Sequence, residues 1–192
     1  MIELTVFALL CVFYGAYLAK LLAQRRQGID TNVMIRGRKS PRAYGTGILL
    51  NLATYLTCGV QFLSCLFWRK MGGLAAAEPV RILGVVLLAL GDLFFVAAFV
   101  TLKDSWRAGI DETQQTELVT TGIYRHSRNP AFVGFDLGYI GCALAVGNGV
   151  MAAAAGISIV LLHLQILEEE KHLEKMFGQP YRQYRGKVRR YL

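Results

Sequence analysis

The chain has 192 residues, of which 54% are hydrophobic and only 18% charged, with a formal net charge of +8. Its mean hydropathy of +0.40 is above that of an ordinary soluble domain, and its length suits one domain rather than two. Basic residues clustered between apolar blocks mark membrane topology, which sets nucleic-acid binding aside.

Five apolar blocks follow in order, over residues 2–23, 45–68, 80–102, 131–146 and 150–167. The first has no basic residue ahead of it and no small-x-small cleavage site, so it is expected to be a permanent membrane helix. Each of the first three reaches the roughly 20 residues needed to cross hydrocarbon. The fourth is shorter and rich in glycine. Gly147-Asn148-Gly149 is a tight-turn signal that folds blocks four and five into an antiparallel hairpin. Small residues Gly134, Gly138 and Gly141 on block four, and 152–156 on block five, predict close packing within that hairpin. The last helix is expected to run on to about residue 176, roughly 40 Å at 1.5 Å per residue, until Gly178 stops it and Pro180 follows.

The predicted fold is therefore all-α. It is a polytopic membrane protein of five transmembrane helices, the last two a helical hairpin, with a cytosolic C-terminal extension. Residues 1–192 form one domain: residues 1–102 supply the first three spans, and 103–192 a polar connection, the hairpin and the tail. Arg25, Arg26, Arg36, Arg38, Lys39 and Arg42 follow block one; Lys103, Arg107, Arg125 and Arg128 follow block three; and the tail is basic. The connection after block two has only Arg69, Lys70 and Arg81. Positive residues inside then predict an outside N-terminus and a cytosolic C-terminus. The basic segment 36–42 is read as topogenic and headgroup-binding.

The four cysteines, Cys11, Cys58, Cys65 and Cys142, lie within apolar blocks without CxxC or Cys/His spacing. They suggest neither zinc nor a disulfide framework, and no metal site is expected.

Two polar stretches flank the last hydrophobic pair. In Arg128-Asn129-Pro130, the proline suits the first turn of a helix, where its missing N–H costs nothing. Backbone N–H groups there favour an anion, and Arg128 can add a bidentate contact. An Arg-Pro step at a membrane interface also arises for structural reasons alone. Glu168, Glu169 and Glu170 stand where the fifth helix leaves the lipid. They read either as a solvated helix end paired with Lys171 or Lys175, or as acceptors for ribose hydroxyls and an amino group. Asp92 and Asp136 lie inside apolar blocks, where they either line a substrate cavity or are neutralised by neighbours. His163 reads as a packing or hydrogen-bonding residue rather than a catalyst.

The segment Leu118-Val119-Thr120-Thr121-Gly122-Ile123-Tyr124, leading into Arg128-Asn129-Pro130 and Gly134, resembles the signature of the isoprenylcysteine carboxyl methyltransferase and phospholipid methyltransferase superfamily. Glu169, Glu170, Leu173, Phe177, Gly178, Tyr181, Tyr184, Val188 and Arg190 match its second half. The resemblance covers about residues 105–190. Asn129 stands where that family most often has histidine, Phe132 where it often has tyrosine, and the proline usual after the closing arginine is absent.

The resemblance implies an integral membrane enzyme that takes a methyl group from S-adenosylmethionine. Its acceptor would be a lipophilic small molecule or a lipidated substrate among the membrane lipids. By carry-over, Tyr124, Arg128, Asn129, Pro130, Gly134, Glu169, Glu170 and Tyr181 line the cofactor site. Arg128, Glu169 and Arg190 take the catalytic roles, and Trp106, Tyr184 and Arg190 meet the substrate. A glycine at 134 is expected to let the cofactor approach closely. A carboxylate acceptor needs no base, an amine must lose a proton, and a thiol also stays open. The competing readings are a membrane NAD(P)H-dependent reductase of the sterol type and a non-enzymatic scaffold or transporter.

Overall fold

The structure, a computed structural model, describes residues 1–28, 40–67, 70–71, 76–106 and 117–192. Arg36, Arg38 and Lys39 of the basic segment, and Arg69 and Arg107, lie outside the described residues. Six α-helices and no strands occur among the described residues: α1 (Ile2–Arg26), α2 (Pro41–Phe67), α3 (Glu78–Leu102), α4 (Pro130–Val146), α5 (Gly149–Phe177) and α6 (Gln179–Lys187). Helices α1, α2, α3 and α5 are long and apolar enough to cross a membrane, whereas α4 is a shorter apolar helix of 17 residues.

The helix ends follow the local chemistry. Pro130 begins α4, where the absent N–H is harmless. Gly147 closes α4 at φ 62°, a left-handed conformation that glycine adopts without a Cβ clash. The Asn148 side chain then caps α5 by accepting from the Met151 N–H at 2.7 Å. Gly178, at φ 57°, ends α5, and α6 starts immediately beyond it.

The tightest seam differs from the expected one. A Cβ on Gly84 would lie 2.5 Å from Ala145 N, one on Gly91 2.7 Å from Gly134 O, and one on Gly141 2.5 Å from Leu88 N. The glycines of α4 therefore receive the backbone of α3. Gly156 on α5 has open space around it, so the small-residue face does not weld α4 to α5. Close backbone approach is how helices gain dispersion contacts where lipid removes the hydrophobic drive. Helix α5 packs on α4 through larger apolar side chains and also meets α2, with Thr57 and Ser158 hydroxyls 2.8 Å apart.

An aromatic group between α1, α3 and α4 completes the packing, with Phe13 and Phe95 centroids 4.6 Å apart and Phe135 against both. Large apolar side chains such as Leu18, Leu52, Leu93 and Val160 face outward, as lipid contact requires. The starts of α2 and α4, the ends of α1, α3 and α5, and all of α6 gather at one end of the bundle. At the opposite end Arg81 ties the first turn of α1 to the last turn of α4, through Glu3 and the Ala145 carbonyl.

Candidate functional site

Glu170 is the centre of the polar end. It lies three residues beyond Leu167, where the continuous apolar stretch of α5 ends, and is nearly inaccessible to solvent. Arg128 donates to its Oε1 from Nη2 at 2.8 Å and from Nε at 3.1 Å. Arg190 comes from the other side, with Nη2 2.8 Å from Oε2 and Nε 3.1 Å from Oε1. One carboxylate thus joins the approach to α4, the end of α5 and the segment after α6. Burial by itself raises the pKa of this carboxyl. Hydrogen bonds from Arg190 and Arg128, reinforced by their charges, outweigh burial and hold it below the ordinary carboxylate value.

Arg128 is committed through further donors as well. Its Nη1 donates to the carbonyls of Val188 at 2.9 Å and Arg185 at 3.0 Å, and its backbone N–H reaches the Arg189 carbonyl at 2.9 Å. Asn129 does not cap α4 with its side chain. Its Nδ2 donates to the Arg190 carbonyl at 3.1 Å, with Glu170 Oε1 at 3.4 Å. An amide can make both contacts in a space where the resembling family usually has histidine. Ser127, which the sequence did not single out, supports the same turn: its Oγ accepts from the Asn129 N–H at 3.1 Å.

The other half of the motif closes over this cluster. Tyr184 donates its hydroxyl to the Tyr124 carbonyl at 2.7 Å, pinning α6 to the short 3-10 turn at Gly122–Arg125. Tyr181 packs against Tyr184 and is 1% exposed, yet its hydroxyl has no hydrogen-bond partner. Burial pushes both phenols up to about 12, so they are neutral at physiological pH. Glu169 points elsewhere than Glu170. It accepts from Gln165 Nε2 at 3.0 Å, and its charge, together with burial, raises the Tyr124 phenol. Gln165 Oε1 is buried without a partner. Glu168 is taken up by Lys171 at 2.8 Å and Arg42 at 3.4 Å.

Two sequence-derived candidates sit differently from their expected roles. Gly134 lies against α3, where a Cβ would meet Gly91 O at 2.8 Å and Phe95 N at 2.9 Å, so its lack of a side chain serves helix packing. Trp106 is buried, its ring edge-on to Tyr17 at 5.6 Å between centroids, and its carbonyl accepts from Gln24. Pro130 is buried at the first turn of α4 beside the cluster. Among the described residues no group of three or more His, Cys, Asp and Glu side chains is placed to hold a metal ion.

Chemically, this end supplies two guanidinium groups on the Glu170 carboxylate and a second carboxylate, Glu169, on the adjacent α5 position. It also supplies a buried amide oxygen and a buried phenol with unused hydrogen-bonding capacity. Such a set suits a polar ligand bearing both signs of charge.

Comparison with known proteins gives the same direction. The family model for phospholipid methyltransferase matches residues 79–180, just over half of the chain. Protein-S-isoprenylcysteine O-methyltransferase A of Arabidopsis thaliana is 28% identical over 161 residues, covering 82% of this chain and 77% of that protein. Protein-S-isoprenylcysteine O-methyltransferase of Schizosaccharomyces pombe is 39% identical over 104 residues, covering 53% of this chain and 44% of that protein. The Saccharomyces cerevisiae protein of the same name is 31% identical over 119 residues, with 59% and 48% covered. The chain thus spans about half the length of the two yeast proteins.

Proposed function

This chain belongs to the phospholipid methyltransferase family, a family of membrane methyltransferases, and from that premise we propose that its methyl donor is S-adenosylmethionine and its acceptor an isoprenylcysteine carboxylate. The observation that carries the reading is the convergence of both motif halves on Glu170. The buried Gln165 oxygen and Tyr181 hydroxyl, unpartnered within the protein, fit a nucleoside with several polar edges. Glu169 and Gln165 would hold the ribose or amino group, and Tyr124 and Tyr181 would enclose the ligand. S-adenosylmethionine supplies a methyl group on a sulfonium already activated for transfer.

The protein's own task is then orientation. Arg128 has four of its five guanidinium donors committed inside the fold, so it acts as the tie that positions Glu170 and the tail. Arg190 gives one edge to Glu170 and is more exposed than Arg128, and it would orient the acceptor carboxylate. Holding nucleophile, methyl carbon and sulfur in line is worth several kcal/mol of barrier, about 7–11 in well-aligned cases. A carboxylate needs no deprotonation before attack, so this acceptor asks for no general base. The active site would face the cytosol, with α4 as a fifth span in a single domain over residues 1–192; the basic residues gathered at this end support that orientation.

Purified protein with radiolabelled S-adenosylmethionine and N-acetyl-S-farnesylcysteine tests the reading. Base-labile label on the farnesylated product is the expected result. Label in a phosphatidylethanolamine fraction instead would overturn the carboxylate acceptor, and no transfer to any membrane lipid or farnesyl acceptor would overturn the donor assignment.

A further inference from the structure

Tyr191 leaves the charged cluster that holds its neighbour. Arg190 stays on Glu170, but the Tyr191 hydroxyl lies 2.5 Å from His163 Nδ1, and the two rings stack with centroids 6.1 Å apart. His163 stands on α5 two helical turns, about 10 Å, deeper into the apolar span than Glu170. Asp136 occupies the matching depth on α4, two turns past Asn129, and lies within electrostatic reach of the same Tyr191. The segment after α6 thus carries a phenol across the seam between α4 and α5.

Asp136 Oδ1 is buried and has no hydrogen-bond partner. An acceptor oxygen left so at membrane depth costs free energy, because hydrocarbon offers no donor. The seam therefore combines an unmet acceptor, an imidazole nitrogen and a phenol on a short strap, directly below the Arg190–Glu170 pair.

We propose that Asp136 and His163 form a polar notch on the α4–α5 seam that recognises an N–H or O–H donor on the membrane-borne acceptor, next to its reacting group. The Tyr191 hydroxyl occupies the His163 side of the notch until the acceptor enters, and leaves Asp136 Oδ1 open. Asp136 and His163 are positioning residues: they fix the acceptor's head so that its nucleophile faces the cluster above. An acceptor lacking the donor leaves the notch unsatisfied and is discriminated against. This inference rests on the isoprenylcysteine reading, whose acceptor carries an amide N–H beside the carboxylate.

The test compares N-acetyl-S-farnesylcysteine with its analogue in which the acetamide is replaced by hydrogen. The wild-type protein is expected to favour the amide-bearing acceptor by about tenfold or more in kcat/KM. Asp136→Leu is expected to bring that ratio close to one, chiefly by raising KM for the amide-bearing acceptor. Asp136→Asn, which keeps an amide oxygen, restores most of the preference. His163→Phe provides a second variant with the ring volume kept, and S-adenosylmethionine binding is measured on every variant to show that it is folded. A ratio unmoved by either apolar substitution, in protein that binds S-adenosylmethionine, overturns the notch and leaves methyl transfer standing. Failure of the wild type to methylate either farnesyl acceptor overturns the acceptor reading and the notch together.

Discussion

Helix α4 is held on its two sides by opposite kinds of chemistry. Toward α3 the contact is bare backbone: Gly84, Gly91, Gly134 and Gly141 let the two helices approach until no Cβ fits. At its start, toward the polar end of α5 and the tail, the contact is charge, with Arg128 and Arg190 sharing the Glu170 carboxylate. A seam of shape alone has no capacity left for a ligand. The polar side keeps a buried amide oxygen and a buried phenol unused, as a binding site requires. The rigid seam thus fixes the start of α4, so that Arg128 and Asn129 can be presented to α5.

The comparison breaks most severely at Glu170. Glu170→Ala leaves Arg128 and Arg190 facing each other without their anion, and removing one partner of a buried pair costs about 3–5 kcal/mol. Methyl transfer is expected to fall by more than a hundredfold, and the thermal midpoint in detergent to drop, with both read on the same preparation. The glycine seam comes next. Gly141→Ala forces a methyl group against Leu88 N and Gly84 O, an overpacking cost of about 1–3 kcal/mol. Its midpoint should fall while KM for the methyl donor stays near the wild-type value.

Arg128→Lys sharpens the polar side. Lysine keeps the charge but cannot supply the planar fork that serves Glu170, Val188 and Arg185 together, so about a tenfold loss of kcat/KM is expected. Acid titration gives a smaller effect whose sign is set by the lowered Glu170 pKa. A carboxyl depressed in the folded state contributes stability that is fully present above its unfolded value, about pH 4.3, and lost as pH falls through the folded value. Unfolding midpoints should therefore decline only below about pH 4, and this component should vanish in Glu170→Ala. Gly156→Ala should have the least consequence, within about 0.5 kcal/mol, because nothing lies near its Cβ position.

Much of this architecture was legible in the chain. The apolar blocks gave the long helices, Pro130 opened α4, and the Gly147-Asn148-Gly149 turn and Gly178 bounded α5 as expected. Glycine spacing marked a face of α4 but carried no information about which neighbour would fill it, so α3 rather than α5 emerged only in three dimensions. Helix α6 was read as tail because its nine residues are mostly polar, with only Tyr181 and Tyr184 buried. The motif brought Arg128 and the glutamate pair to one end. Adjacent helical residues point about 100° apart, and only packing decides that Glu170 meets the arginines while Glu169 meets Gln165. The Tyr191–His163 contact joins residues with no local pattern between them, and so left no trace in the sequence.

The central claim is that the two motif halves build one site for a methyl donor, and equilibrium binding of S-adenosylmethionine to the purified protein tests it most directly. The wild type should bind saturably, Glu170→Ala should lose that binding, and Gly156→Ala, placed outside the site, should match the wild type. Absence of binding by the wild type, or equal binding by Glu170→Ala in folded form, would contradict the account.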